Sequence, residues 1–170
     1  MQRAVHHPGP EAPGVPGFTL DVPAEWSAHE APGAVLAVSR RNGDGGAAVV
    51  VTTTRIDRGV GLRDVAVRSF AEHRRTHPGI VIDDQRVGRF GERVVYLRGM
   101  TVPDARSPVA QVQALCFAPG GPERTTTDVV ALTGSCPAAE IDEHGGVFVD
   151  MIASLSFTDG SPWNDEGPTG

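Results

Sequence analysis

The stretch that decides the fold lies near the start of the chain and reads Phe18-Thr19-Leu20-Asp21-Val22-Pro23-Ala24-Glu25-Trp26. Residues 18–22 alternate apolar and polar side chains, which predicts a short β-strand. Pro23 ends that strand because proline has no N–H to donate to a neighbouring strand. At the far end, residues 148–157 predict a helix that runs directly into a last strand. Nearly all of the sequence with the composition of a folded domain lies between these two stretches.

Length and composition indicate one soluble domain. The chain has 170 residues, of which 39% are hydrophobic and 21% charged, and its formal net charge is −6. We expect a disordered Pro/Gly-rich lead at residues 1–16, a single domain at 17–158 and a flexible acidic tail at 159–170. The negative charge argues against general nucleic-acid binding and against anionic membrane surfaces. No apolar run resembles a signal peptide or a membrane span, so membrane insertion is not expected and the predicted location is the cytoplasm.

The order of predicted elements indicates an α+β protein. After the opening strand we expect a β-hairpin, one amphipathic helix at about residues 61–76, four more strands, a second helix and a short final strand. Pro137 suits the first turn of the second helix, and the Gly145-Gly146 pair in it predicts a kink or a close approach to the sheet. Strands grouped without strict alternation with helices favour a single, mainly antiparallel, twisted sheet of about six to eight strands with two principal helices packed on it. The predicted strands after the opening one are 35–40, 47–56, 80–90, 93–100, 109–117 and 126–133.

One strand separates an apolar side from a more polar one. Alternate residues from Ala110 to Cys116 are apolar, whereas Gln111 and Gln113 face the other way. This pattern is typical of an antiparallel sheet in which one face packs against the core and the other is more exposed to solvent. We therefore expect the helices to cover one face and the opposite face or its rim to contact a partner. The predicted contact residues are Trp26 at the rim and Tyr96, Gln111 and Gln113 on the exposed face.

The opening stretch, the single helix after a strand pair, the following meander and the closing Ser154-Leu155-Ser156-Phe157 together resemble the PsbP-like fold. Within that fold the chain most resembles bacterial families of the LpqN/LpqT lipoprotein type, as a relative without a signal. The resemblance covers about residues 17–158 and implies a small binding or accessory module with no catalytic centre. Relatives include an extrinsic photosystem II subunit, a Ran-binding nuclear transport factor, envelope lipoproteins and chaperones of secreted toxin effectors.

The residues that could carry chemistry are better explained structurally. His73 and His77 have helical i,i+4 spacing, but two arginines stand between them and Pro78 follows, so we predict no metal site. Cys116 and Cys136 are expected to be free core thiols. The turn at residues 119–122 would set Cys116 opposite a residue near Thr127, beyond disulfide reach of Cys136. Ser135 lacks the context of a catalytic elbow. We therefore predict no catalytic residue and no cofactor.

These observations lead to two hypotheses. The first is a non-enzymatic intracellular module, adaptor-like or secretion-chaperone-like, that binds another protein and is itself a monomer or homodimer. The alternative is a carrier for a small apolar ligand, held between sheet and helices where Ala110, Val112 and Ala114 could leave room. Trp163, in the acidic tail, could be a docking motif or a stray residue.

Overall fold

The computed structural model describes residues 14–40, 46–120 and 124–158. Within them the chain forms nine strands, two α-helices and a 3-10 turn at Ala138–Glu140. The helices are α1 (Leu62–Thr76) and α2 (Ile141–Ser154). The strands are β1 (Phe18–Thr19), β2 (Trp26–His29), β3 (Leu36–Arg40), β4 (Ala48–Asp57), β5 (Val81–Phe90), β6 (Arg93–Val102), β7 (Val109–Phe117), β8 (Thr126–Pro137) and β9 (Ser156–Phe157).

Seven strands form one antiparallel sheet in the order β2-β3-β4-β8-β7-β6-β5. The two remaining strands, β1 and β9, pair with each other in a separate two-stranded sheet. The first and last described strands, β1 and β9, are therefore neighbours in space. The predicted α+β class with an antiparallel sheet and two helices is confirmed.

The two helices lie on opposite sides of the large sheet, and here the expectation that both would cover one face is wrong. Successive side chains of a strand point to opposite faces. On β7, Ala114 packs in the cluster that contains Ile152 of α2, whereas its neighbour Leu115 packs in the cluster that contains Ala66 of α1. Each face thus has its own helix, and the sheet is the middle layer of the molecule.

The α2 side is packed around one aromatic ring. Phe148 is fully buried among Val38, Val49 and Met151. A Cβ atom on Gly134 of β8 would lie 2.4 Å from a ring carbon of Phe148. The glycine that lets helix and sheet approach closely is therefore on the strand. Gly146 of α2, where a close approach was one expectation, has nothing within 4 Å of its Cβ position.

The amphipathic pattern of α1 is confirmed in position and in orientation. Residues 62, 65, 66, 69, 70 and 73, which share one helical face, are buried or half-buried, and residues 63, 64, 67 and 68 are exposed. Ala66 is the one fully buried residue of the helix and packs against Tyr96, Leu115 and Val129.

Several local predictions need correction. Strand β2 was not expected, because Trp26–His29 has only four residues and follows directly on the proline-terminated opening strand. Pro137 ends β8 opposite Val109, so the second helix begins at Ile141, after the 3-10 turn. Cys116 pairs with Val130 rather than with a residue near Thr127. Both cysteines are nevertheless buried and free, as expected.

Other expectations fall outside the described residues. They concern the lead at 1–13, the hairpin turn at Asn42-Gly43, and the tail with Trp163. Within the described ranges, neither helix is long and apolar enough to cross a membrane.

Candidate functional site

The α1 side of the sheet is covered only in part. Helix α1 lies over Tyr96, Leu115 and Val129, toward one end of the strands. At the other end, several residues of β3, β4, β8 and β7 remain half-buried without a helix above them in the described ranges, although Ala37, opposite Val50, is buried. We call this surface the open face. Its residues are Ser39, Ala48, Val50, Thr52, Gln111, Thr133 and Ser135.

Neighbouring valines on β4 show the contrast between the two sides of the sheet. Val49 and Val51 point toward α2 and are almost completely buried, whereas Val50 between them is only half-buried. The same strand therefore has one side in the core and one side available to solvent.

The open face carries no charged side chain, although 21% of the residues in the chain are charged. Its side chains are small, so the surface follows the pleat of the strands. Gln111 Nε2 donates a hydrogen bond to Ser135 Oγ at 3.3 Å. Gln111 Oε1 is buried and accepts no hydrogen bond from the part of the chain that the structure describes. That oxygen lies below the accessible surface of the open face.

Trp26, predicted at the exposed rim, is buried. Its side chain is 6% exposed and meets Phe148 edge-to-face, with ring centroids 6.3 Å apart. Its strand lies at the edge of the sheet, but alternation turns the indole toward α2 rather than toward solvent. Trp26 is therefore a core residue and cannot serve as an exposed anchor in this conformation.

Tyr96 and Gln113, predicted on the exposed face, are also buried, at 9% and 7% exposure. They do lie on the same side of the sheet as Gln111, but α1 covers them. Tyr96 Oη donates a hydrogen bond to Gln85 Oε1 at 3.0 Å. Of the four predicted contact residues, the structure leaves only Gln111 at an accessible surface.

The buried Arg98 beneath α1 was not foreseen. It is 3% exposed and its guanidinium carbon lies 5.0 Å from the Phe70 ring centroid and 5.5 Å from that of Tyr96. Nη2 donates to the carbonyl of Ala66 at 2.7 Å and Nη1 to Gln113 Oε1 at 3.4 Å. The signal in the sequence that could have predicted this burial is an arginine in the middle of a largely apolar strand. Arg98 joins the helix to the sheet.

The side chains that could act as nucleophiles or metal ligands are held in unreactive states. Burial raises the pKa of the Cys116 thiol to about 11, against a smaller opposing effect of Arg93. Burial, and then the charge of Glu140, raise the pKa of Cys136. Thiols with raised pKa values stay protonated near neutral pH and are poor nucleophiles.

The His73–His77 pair is a helix-end feature. Their rings are 5.3 Å apart between centroids, and the His77 N–H bonds to the carbonyl of His73. Burial, then His77 and Arg98, lower the pKa of His73. Across the described ranges, histidine, cysteine, aspartate and glutamate form no group of three that could hold a metal ion.

The space proposed for a ligand between sheet and helix is filled. Ala110 and Val112 pack in the cluster that contains Phe148 and Met151, and the Phe148 ring occupies the position above Gly134. An open groove of about 840 Å³ lies instead along the β2–β3 connection, lined from Ala28 to Leu36. These contacts do not favour a carrier with an internal apolar pocket.

No protein-family model matches the sequence, and no curated protein matches it. Solved structures do match the fold. The chain is similar to LpqN of Mycobacterium tuberculosis, described as involved in cell envelope biogenesis, with a TM-score of 0.68, 16% identity, and coverage of 91% of this chain and 88% of that one. Cyanobacterial PsbP from Synechocystis gives a TM-score of 0.64, 13% identity, and coverage of 84% and 87%.

A third similar structure, a protein of unknown function from Pseudomonas aeruginosa, gives a TM-score of 0.52, 12% identity, and coverage of 90% and 94%. The chain therefore has a PsbP-like fold, of the kind seen in LpqN. Identities at this level establish the fold alone.

Proposed function

We propose that this protein is a non-enzymatic module that binds another protein through the open face. The observation that carries the proposal is the uncharged, partly uncovered sheet surface next to α1. Charged residues are depleted at the centres of protein interfaces, and buried polar groups there are paired across the interface.

An enzymatic role receives no support from the side chains that could perform it. The two thiols are protonated because they are buried. The solved structures with the same fold include LpqN, described as involved in cell envelope biogenesis, and PsbP. Free thiols suit a reducing compartment, which supports an intracellular adaptor or secretion-chaperone-like role.

Site-specific photo-crosslinking tests the proposal in cells that produce the protein. A photoreactive amino acid at Thr133 samples the open face, and the same group at Arg68 samples the exposed side of α1. We expect one discrete adduct with a second protein from position 133 and none from position 68. A second change, Ser135→Arg, should abolish the adduct because it places a charge in the interface.

Equal adducts from both positions, or an adduct that survives Ser135→Arg, would place the contact elsewhere on the molecule. A circular dichroism spectrum identical to that of the wild type ensures that Ser135→Arg acts at the surface and does not unfold the domain.

A further inference from the structure

Strand β5 is a long edge strand whose outer side is unpaired in the described part of the chain. It has ten residues and hydrogen-bonds to β6 on one side only. A strand edge presents unsatisfied N–H and C=O groups that can pair with another strand. Two valines of this strand, Val81 and Val87, are exposed, and Val87 reaches 63%.

The charges along β5 are divided by sign. Asp83 and Asp84 stand in its first half, and Arg86 and Arg89 in its second half. Edge charges usually prevent pairing between copies because like charges meet. Here that protection fails in one orientation, because an antiparallel copy brings the acidic half of each strand against the basic half of the other.

Two of these four charges lack a partner among the described residues. Asp83 accepts a hydrogen bond from Thr101 Oγ1 at 2.7 Å, and Arg89 donates to the carbonyl of Glu92. Asp84 and Arg86 are exposed, and neither side chain has a hydrogen bond or ion pair with another described residue. Alternation places both on the α2 side of the sheet, opposite Gly99 and Leu97.

We propose that β5 pairs antiparallel with β5 of a second copy, which forms a homodimer with one continuous sheet. The two-fold axis is perpendicular to the sheet and passes through Gln85. In this register each Asp84 lies directly opposite Arg86 of the other copy, so two cross-strand ion pairs form. Moving the axis by one residue to Arg86 sets two guanidinium groups against each other, which disfavours that register.

Charge reversal on the full-length chain tests the pairing. We expect the wild type to reach twice the chain mass in a concentration series by light scattering. Arg86→Glu sets two acidic pairs in the homodimer and Asp84→Arg sets two basic pairs, so each should raise the dimer Kd by roughly tenfold or more. An equimolar mixture of the two variants restores both attractive pairs and should restore the dimer.

The control is Arg63→Glu, on the exposed side of α1, which should leave the dimer unchanged. A monomeric wild type at every concentration, a dimer that survives both reversals, or a mixture that stays monomeric would each overturn the proposal. Circular dichroism on each variant separates loss of pairing from loss of folding.

A cysteine at the axis provides an independent measurement. The native cysteines are buried, so Gln85→Cys introduces the exposed thiol. Under mild oxidation it should form a disulfide-linked dimer, because residues directly opposite in an antiparallel pair have close Cβ atoms. Arg89→Cys, four residues from the axis, should not. Equal cross-linking of the two variants would contradict the register. The result is independent of the open face, so either proposal can fail alone.

Discussion

At the scale of single residues, the distance between α2 and the sheet depends on Gly134. The Phe148 ring lies against its backbone so closely that a methyl group there would overlap three ring carbons, at 2.4–2.8 Å. Phe148 is fully buried and cannot move without disturbing Trp26 and Met151, which pack against it.

Replacing Gly134 with alanine should therefore destabilise the protein. We expect a loss of about 1–3 kcal/mol in the free energy of unfolding, because a well-packed core accommodates an added methyl group only by shifting side chains or backbone. Urea denaturation at constant temperature measures this difference.

Gly146→Ala is the matched control, since it adds the same methyl group at an exposed helical position with nothing within 4 Å. It should stabilise the protein by about 0.5–1 kcal/mol, because alanine is the better helix former. If Gly134→Ala were as harmless as Gly146→Ala, the described contact with Phe148 would be wrong.

Asp128 is the second residue with a specific energetic role. It is buried and accepts hydrogen bonds from Arg55 at 2.8 Å and from Arg124 at 3.0 Å. Burial acts to raise the pKa of its carboxyl, but the hydrogen bonds and charges of the two arginines outweigh it and lower the pKa below its usual range. The ionised form is therefore the one that the fold stabilises.

Asp128→Asn should lower the free energy of unfolding by about 2 kcal/mol near neutral pH. A carboxyl with a lowered folded pKa contributes fully above its unfolded pKa, and that contribution disappears as the pH falls through the folded pKa. The difference between wild type and variant should thus be constant from about pH 7 to pH 5 and shrink below about pH 4. Urea denaturation across that pH range measures it.

Asp150→Asn, at an exposed position of α2, serves as the control and should leave the free energy of unfolding near neutral pH close to that of the wild type. A difference for Asp128→Asn that stayed the same from neutral to acidic pH would mean that shape rather than charge carries the contribution.

At the scale of elements, α1 is attached to the sheet by an unusual contact. Its apolar face is narrow and has one fully buried residue, Ala66. Arg98 of β6 compensates for this small apolar contact. Its guanidinium group donates a hydrogen bond to the carbonyl of Ala66 and lies near the rings of Phe70 and Tyr96. The arginine therefore combines stacking and hydrogen bonding to a helix that has little apolar surface of its own.

Arg98→Ala should loosen α1 selectively. We expect a destabilisation of about 3 kcal/mol from lost packing and hydrogen bonds, with faster amide hydrogen exchange across Leu62–Thr76 and smaller changes in α2. Mass spectrometry of the exchanged peptides resolves the two helices. Arg106→Ala, at an exposed position between β6 and β7, is the control. Equal loosening of both helices by Arg98→Ala would show that the contact is not specific to α1.

At the scale of the whole molecule, both thiols are buried between the sheet and α2. Cys116 and Cys136 point into the α2 side of the sheet. The native protein should therefore react with an aromatic disulfide reagent at about pH 7 at least 100-fold more slowly than a free thiol, because burial both blocks access and keeps the thiol protonated. The absorbance change on reaction measures the rate.

Denaturation in urea provides the control and should expose two reactive thiols per chain. Rapid modification of a native thiol would show that α2 opens from the sheet readily, and it would revive a nucleophilic role for that cysteine.

The proposed dimer would also act at this scale. A two-fold axis perpendicular to the sheet leaves the two open faces pointing in the same direction. Each dimer would then present two equivalent surfaces to a partner, which raises avidity when both are engaged.

Local patterns predicted most elements because they depend on neighbouring residues. The apolar spacing of α1 and the alternation in β7 were sufficient to place Leu62–Thr76 and Val109–Phe117 within one residue. Strand β2 has only four residues, too few for alternation to identify it, and its conformation depends on pairing with β3. The end of β8 at Pro137 likewise depends on its pairing with Val109.

The predicted contact residues were less accurate for a related reason. Alternation correctly placed Tyr96, Gln111 and Gln113 on one side of the sheet. Which part of that side a helix covers is a long-range property, and α1 covers two of the three. Trp26 was expected to be exposed because it follows a strand end, but tertiary packing turned it toward Phe148.

The sequence by itself determined the α+β class, the antiparallel sheet and the amphipathic helices, because these follow from periodicity, turn residues and composition. Only the tertiary structure decided that the helices lie on opposite sides, that Gly134 receives a ring, that Arg98 is buried and that one patch of sheet stays open. The physical reason is that periodicity defines the sides of an element, whereas burial depends on which other element comes to cover each side.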